Sequence, residues 1–400
     1  MLLRRQPVPP SRRPGTGPET FTKVRRCNFF RRQLRRFLRW SSAVTTEPSS
    51  CAPGEATQGT VAARLLEKRA ETAVVRCAVD PIMVLHRPTS SLQLQCFGSA
   101  ASTRTGGRRQ NEDRLRAIDN LDRYGRELLE VAPPNSSLCF RDLLQHRGLE
   151  DFVEEAHAPP ALAVNHLLLP RAETQFFGVY DGHGGAQVSS LLALLFPVYV
   201  LAAPEYASDL AAACHSATMA MDEEIRKREL KGGATAVTLL LRGETAVLSN
   251  TGDCRAILVA KRDQAGVHVT QLTTDHKASN EQEKRRIEES GGMVLYVRGV
   301  ARVNGRLAVA RAFGDSELGR LVIADPEVTV HALHQEDEYI VLGSDGLWDV
   351  LTNEQVASYI GEHPLLDVQE MAHMLTHLAV ELGTSDNVTV IVVDVRSRAS

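Results

Sequence analysis

The feature that most constrains this chain is the way its apolar, β-branched runs meet turns that carry an aspartate. Phe176-Phe177-Gly178-Val179-Tyr180 runs into Asp181-Gly182-His183-Gly184-Gly185, and Tyr339 to Leu342 runs into Gly343-Ser344-Asp345-Gly346. Val388 to Val393 follows Gly383-Thr384-Ser385-Asp386-Asn387. Ala236 to Leu241, Ala246 to Ser249 and Ala256 to Ala260 are similar runs, closed within a few residues by Gly, Asn or Asp. Short runs of this kind, bounded by turn formers, read as strands. Helical spacing marks Asp209 to Arg228, Ser279 to Ser290, a stretch opened by Thr352 with Gln355, and Leu366 to Leu382. Ser279 and Gln282 stand at capping-box spacing, and Gly291-Gly292 supplies the stop. Strands come in consecutive groups as well as between helices, so the pattern predicts a layered α+β domain rather than alternating βαβ units.

Composition then removes whole classes. At 43% hydrophobic and 24% charged residues the chain is neither disordered throughout nor fibrous. Its longest apolar run, Leu191 to Ala203, falls short of the ~20 residues of a membrane span and is broken by Pro197, which excludes an integral membrane protein. The cysteines (Cys27, Cys51, Cys77, Cys96, Cys139, Cys214 and Cys254) are odd in number and include no C-x-x-C pair. That argues for a reducing compartment and against a disulfide scaffold or zinc ribbon. A P-loop, a kinase Gly-rich loop with D-F-G, a G-x-S-x-G elbow and H-E-x-x-H are all missing.

Charge is unevenly spread. Residues 1–46 carry twelve Lys/Arg and one acid, which leaves 34 bases against 48 acids in the remainder, a balance of −14. A body this acidic repels phosphates, so no nucleic-acid partner is expected. Within the leader, Phe30, Leu34, Phe37 and Leu38 share one helical face while Arg31, Arg32, Arg35 and Arg39 cover the other. An Arg-rich, acid-poor amphipathic stretch followed by Ser41-Ser42 reads as a transit segment to the mitochondrial matrix, with chloroplast import or a cytoplasmic basic tail as alternatives. The layout expected is a leader over 1–45, a linker over 46–91 and one catalytic domain over 92–396.

The acidic turns carry the chemistry. Mg²⁺ and Mn²⁺ take carboxylate, carbonyl and water oxygens, and Asp-Gly turns offer a carboxylate beside an approachable carbonyl. One Asp-Gly is only a turn. Three such turns, together with Arg108-Arg109-Gln110-Asn111-Glu112-Asp113-Arg114 and a histidine among glycines, point to a two-metal hydrolytic site with a basic phosphate anchor and a proton donor.

The order and wording of these motifs resemble the metal-dependent, type-2C Ser/Thr protein phosphatases, and with the leader the chain is similar to their mitochondrial members. The matching segments are Gly98-Ser99 with Arg108 to Arg114, Val179 to Gly185, Gly233 to Ala236, Asn250 to Ala256, Leu272 to His276 with Glu283 to Gly292, Val303 to Asp315, Ala324 to Glu327, Ser344 to Asp349 and Gly383 to Val388. The resemblance implies a central β-sandwich of two antiparallel sheets flanked by helices on both faces. It implies a phosphoprotein substrate, a monomer, and at least two Mg²⁺ or Mn²⁺ ions that activate a bridging water. Asp181 would bridge the ions, the Gly182 carbonyl would ligate one, Asp345 and Asp386 would complete the other site, and Glu112 would act through a water. Asp113 would order the surrounding shell, and Asp253 with Asp349 would form a weaker third site. Arg108 would hold the phosphate and His183 would protonate the leaving oxygen.

Two departures stand out. Cys254 and Ala310 replace residues commonly serine in these motifs, off the ligand set. Between roughly Asp119 and Arg171 the chain carries an insertion with Pro133-Pro134, Pro159-Pro160 and an acidic stretch at 150–155, expected to be a helical excursion that contacts partners or substrate. Against a pseudophosphatase that only binds partners stands the full set Arg108, Glu112, Asp181, Asp345 and Asp386.

Overall fold

The computed structural model describes residues 98–131, 173–262 and 266–396. The leader, the linker over 46–91 and residues 132–171 of the expected insertion lie outside the described residues. The described strands are β1 (Ser99–Arg104), β2 (Arg114–Ile118), β3 (Thr174–His183), β4 (Gly233–Arg242), β5 (Thr245–Thr251), β6 (Arg255–Arg262), β7 (Gly266–Gln271), β8 (Val294–Val297), β9 (Val300–Val303), β10 (Phe313–Gly314), β11 (Glu327–Ala332), β12 (Asp337–Gly343) and β13 (Val388–Asp394). One sheet runs β1-β13-β12-β6-β7 and the other β11-β5-β4-β3-β2, with β10 added to β4 and β8-β9 a separate hairpin. Every strand pairing is antiparallel.

Alternation along β3 and β4 decides what each face buries. Phe177, Val179, Val237 and Leu239 meet Leu258, Ile340, Leu342, Ile391 and Val393 of the opposite sheet, which makes the inter-sheet core. Phe176, Tyr180 and Leu240 point the other way. They pack on α2 (Gln187–Ala202) and α3 (Leu210–Lys227) through Leu192, Phe196, Ala213 and Met221. On the far side, α7 (Val368–Glu381) covers β1 and β13 while α6 (Asn353–Glu362) lies on β7. Each fully buried Phe or Leu contributes about 1.5–3 kcal/mol relative to exposure. The helix-flanked sandwich is the expected one. The run Leu191 to Ala203 turns out to be most of α2, buried along nearly its whole length, and no described helix is long and apolar enough to cross a membrane.

Local rules hold with one correction. Thr352 and Gln355 form a reciprocal capping box at the start of α6, and Asp209 caps α3 by accepting from Ala211 N and Ala212 N, both at 3.0 Å. The cap of α4 (Glu281–Glu289) is Asn280 rather than Ser279: Asn280 Oδ1 accepts from Gln282 N at 2.9 Å. Ala278 N donates to Ala308 O and Asn280 N to Lys277 O, so Ser279 is spent inside a turn and the helix begins one residue later.

The insertion also starts differently from expectation. Residues 121–131 form α1 (Leu121–Val131), and Leu121 and Tyr124 lie in the core against α2. Buried Asp122 accepts from Thr174 N at 2.8 Å and from Tyr206 Oη at 2.9 Å, tying α1 to β3. This first turn of the stretch is architecture, not excursion.

Candidate metal and phosphate site

Register alone brings the acidic turns to one end of the sandwich. The end of β3 stands opposite the start of β4 (Asp181 with Thr235, His183 with Gly233) and beside the start of β2 (Tyr180 with Arg114). In the other sheet, Gly343 at the end of β12 is level with Arg255 of β6 and Val390 of β13, and Arg104 of β1 is level with Val388. Short connections join these same ends. β1 to β2 carries Arg108, Glu112 and Asp113, and β5 to β6 carries Asp253. Asp345 opens α5 (Asp345–Trp348), Asp349 follows it, and Asp386 precedes β13.

The innermost group is Asp113, Asp181 and Asp345. Asp113 is buried, and its Oδ2 accepts from Ser344 Oγ at 2.9 Å and Thr389 Oγ1 at 2.7 Å, so one carboxylate links the β1–β2 connection to β12 and β13. Asp113 Oδ1 and Asp345 Oδ1 are buried with no hydrogen-bond partner. Burial pushes the Asp181 carboxyl well above the usual range, and the charges of Asp113, Asp345, Asp253 and Asp386 push it further. Asp345 is raised well above the usual range by burial and then by Asp253, Asp386, Asp349 and Asp113. Asp113 rises to about 6 through burial, against the pull of its two hydroxyl donors. Crowded carboxylates with orphaned oxygens fit hard divalent cations. Among the described residues no group of three or more His, Cys, Asp or Glu side chains is arranged to hold a metal ion by itself. An ion that keeps several waters and takes one or two carboxylates, as Mg²⁺ does, suits such an open set.

Glu112 is fixed through its backbone. Its N–H donates to Asn387 Oδ1 at 2.8 Å, and its carbonyl accepts from Ser189 Oγ at 2.6 Å. A Cβ at Gly182 would stand 2.5 Å from that carbonyl, so only glycine lets β3 approach the β1–β2 connection here. At the rim Arg108 Nη2 donates to Asp386 Oδ2 at 2.5 Å, so the expected phosphate anchor is closed on a carboxylate, with 56% of its side chain still exposed.

Outside the inner group, Asp253 rises to about 6 through burial, opposed by Lys277. Lys277 Nζ lies 3.3 Å from Asp349 Oδ1 and 4.0 Å from Asp253 Oδ2. Lys277 was not singled out by sequence; its signal was a lysine beside His276 at the end of a matched motif. Asp315 was missed as well. His183 Nε2 lies 2.7 Å from Asp315 Oδ2, a pairing across 132 positions whose local trace was only the Gly314-Asp315 turn. Cys254, packed against Thr235 Oγ1 at 3.1 Å, is fully buried, and burial raises its thiol well above the usual range. It is an inert small hydrophobe, as expected.

The family model described as "Protein phosphatase 2C" matches residues 143–388. The match contains Asp181, His183, Asp253, Asp345 and Asp386 but begins after Arg108, Glu112 and Asp113, which β1 and β2 nonetheless build into both sheets. Probable protein phosphatase 2C 59 of rice (Oryza sativa subsp. japonica) is 37% identical over 221 residues, covering 54% of this chain and 65% of the rice protein. Probable protein phosphatase 2C 32 of the same plant is 36% identical over 234 residues, covering 55% of this chain and 58% of that protein. The matched stretch thus spans less than two thirds of either relative. Among solved structures, a serine-threonine phosphatase 2C from Toxoplasma gondii aligns with a TM-score of 0.57 at 21% identity, covering 78% of this chain and 98% of that one. That likeness is one of fold.

Proposed function

Because the chain belongs to the protein phosphatase 2C family, we propose that it is a metal-dependent protein serine/threonine phosphatase acting at the end of the sandwich where the acidic turns meet. The observation that carries this reading is the Asp113–Asp181–Asp345 group: Asp113 buried and the other two half-buried, mutually repelling, with unpartnered buried oxygens on Asp113 and Asp345. Asp181, Asp345, Asp386 and the Gly182 carbonyl would hold two Mg²⁺ or Mn²⁺ ions, with Glu112 acting through a water and Asp253 with Asp349 serving a weaker outer ion. When bound, such ions supply positive charge and bring the pKa of water close to neutral. Asp113 keeps the group in register through Ser344 and Thr389. Arg108 exchanges Asp386 for the substrate phosphate, which its planar fork grips with charge-assisted hydrogen bonds as negative charge builds on the phosphoryl oxygens. His183 donates a proton to the serine or threonine oxygen as it leaves.

The assay is phosphate release from a phosphothreonine peptide by the full chain. Turnover with Mn²⁺ that stops on chelation is expected. Binding of the peptide without hydrolysis at saturating Mn²⁺ would make the chain a binding module instead.

We further propose delivery to the mitochondrial matrix by residues 1–45, on the strength of the Arg-rich amphipathic stretch at 29–40. Fused to a fluorescent reporter, these residues should direct it to mitochondria; a cytosolic or plastid signal would overturn the assignment.

A further inference from the structure

We infer that Asp315 is the positioning residue of the proton donor: it engages His183 at Nε2 and leaves Nδ1 as the nitrogen that delivers the proton. The inference rests on the acid role proposed for His183 and adds the partner and the atom. His183 Nε2 lies 2.7 Å from Asp315 Oδ2, and among the described residues Nδ1 has no hydrogen-bond partner. The Asp315 side chain is only 12% exposed, so the contact is shielded from water on one side while His183, 28% exposed, keeps an open edge.

The surrounding backbone is shaped to hold this pair. Asp315 sits at φ 45° and ψ 39°, the left-handed region that non-glycine residues enter only against steric resistance. Its N–H donates to Gly232 O at 3.1 Å and its carbonyl accepts from Leu318 N at 2.8 Å. One residue earlier, Gly314 N donates to Asp222 Oδ1 at 2.8 Å, and buried Asp222 is itself braced by Arg226 Nε at 2.6 Å. β10 pairs Gly314 with Gly233 of β4. A Cβ on Gly233 would stand 2.3 Å from Asp315 Oδ2 and 2.7 Å from His183 Nε2, so that glycine is the floor on which the pair rests. Glu229, Arg298 and Asn304 also have positive φ, but of these residues only Asp315 touches a side chain of the proposed chemistry.

The proton accounting follows. As the bond between phosphorus and the serine or threonine oxygen breaks, the Nδ1–H bond of His183 breaks with it and an O–H bond forms on the leaving group. The imidazole left behind keeps its Nε2–H, donated to Asp315. Solvent then returns a proton to Nδ1 and accepts the one lost by the attacking water. A carboxylate that orients a histidine and supports its charged form is a recurring arrangement in proton-transfer sites.

The test uses the full chain with saturating Mg²⁺ and two substrates, a phosphothreonine peptide and p-nitrophenyl phosphate, whose phenolate leaves without help. Asp315→Asn should lower kcat on the peptide ~10–100-fold, part of the ~10²–10⁴ carried by general acid catalysis, and change kcat on the aryl ester less than ~3-fold. Asp315→Gly, which relieves the positive φ, should show the same selectivity with a melting temperature no lower than that of the parent. In a long-range ¹⁵N–¹H spectrum of the Mg²⁺-loaded chain, the His183 signal should show a protonated Nε2, and that preference should be lost in Asp315→Gly. Adding Asp315→Asn to His183→Gln should cost nothing further. Equal losses on both substrates, no loss on the peptide, or an unchanged His183 spectrum would overturn the role of Asp315. If His183→Gln itself slows both substrates alike, the acid role fails first and the inference falls with it.

Discussion

Two sets of carboxylates stand at the same end of the sandwich and have met crowding in opposite ways. The Asp113 carboxylate accepts from hydroxyls, and no described Lys or Arg donates to a side-chain oxygen of Asp113, Asp181 or Asp345; the Arg114 guanidinium reaches only the Asp113 backbone carbonyl. Asp253 and Asp349 have Lys277 between them at 4.0 Å and 3.3 Å. The residue type is identical in the two sets, so the difference lies in what neutralises them. The inner set would be neutralised only by protons or by cations from solution. The outer pair already has one on a four-carbon stem, and an ion entering there must displace it. That is a physical reason to expect the proposed outer site to be the weaker.

Removing the keystone of the inner set should have the largest effect. Asp181→Asn should lower turnover of a phosphothreonine peptide by at least ~10³-fold, the upper range for losing one electrostatic contact at a reacting centre. The metal-free variant should melt no lower than the parent, because a desolvated charge repelled by its neighbours has gone. Near-parent activity of this variant at saturating Mn²⁺ would break the comparison outright.

A smaller effect, in stability, follows from the raised carboxyls. Asp113 and Asp253 titrate at about 6 in the folded metal-free chain, and Asp181 and Asp345 are raised as well. Unfolded, the same groups release their protons near 4. Between those limits the folded state holds protons the unfolded state has lost, so stability is greatest at low pH in the window and falls as pH rises through about 6. The metal-free chain should therefore melt lower at pH 7.5 than at pH 5, with each kcal/mol moving Tm by ~2–4 °C. Mg²⁺ should raise Tm more at pH 7.5 than at pH 5. A metal-free Tm that climbs with pH across this window would contradict the picture of repelled, proton-holding carboxylates.

Lys277→Met sharpens the comparison with the smallest shift. The Lys277–Asp349 arm is a surface ion pair, worth up to ~1 kcal/mol, so removing it should tighten the weakest Mn²⁺ site by up to ~5-fold while leaving the tighter sites unchanged. Calorimetric titration reads both, and tightening of the inner sites instead would reverse the assignment of Lys277 to the outer pair.

The strands and their acidic turns were legible because β-periodicity and Asp-Gly chemistry are local. Phe176 to Asp181, Tyr339 to Asp345 and Asp386 to Val393 each carry their structure within ten residues. That the turns meet at one end depends on antiparallel register across two sheets, which local pattern does not encode; family resemblance supplied it. Asp315 and Lys277 escaped for the same reason, since their partners lie 132 and 72 positions away. Ser279 lost its capping role to Asn280 because a tertiary backbone bond at Ala278 moved the helix start. Leu121 and Tyr124 look like ordinary apolar residues of a long insertion until α2 is in place to bury them.

The central claim is that the inner carboxylates hold the ions on which phosphate hydrolysis depends. Its most direct test is a Mn²⁺ titration followed by calorimetry on the full parent chain and on Asp181→Asn, with peptide phosphatase activity read at each point. The parent should take up at least two ions, with activity rising as they bind, and the variant should lose those events together with its activity. Unchanged Mn²⁺ binding by Asp181→Asn, or full parent activity under chelation, would contradict the account.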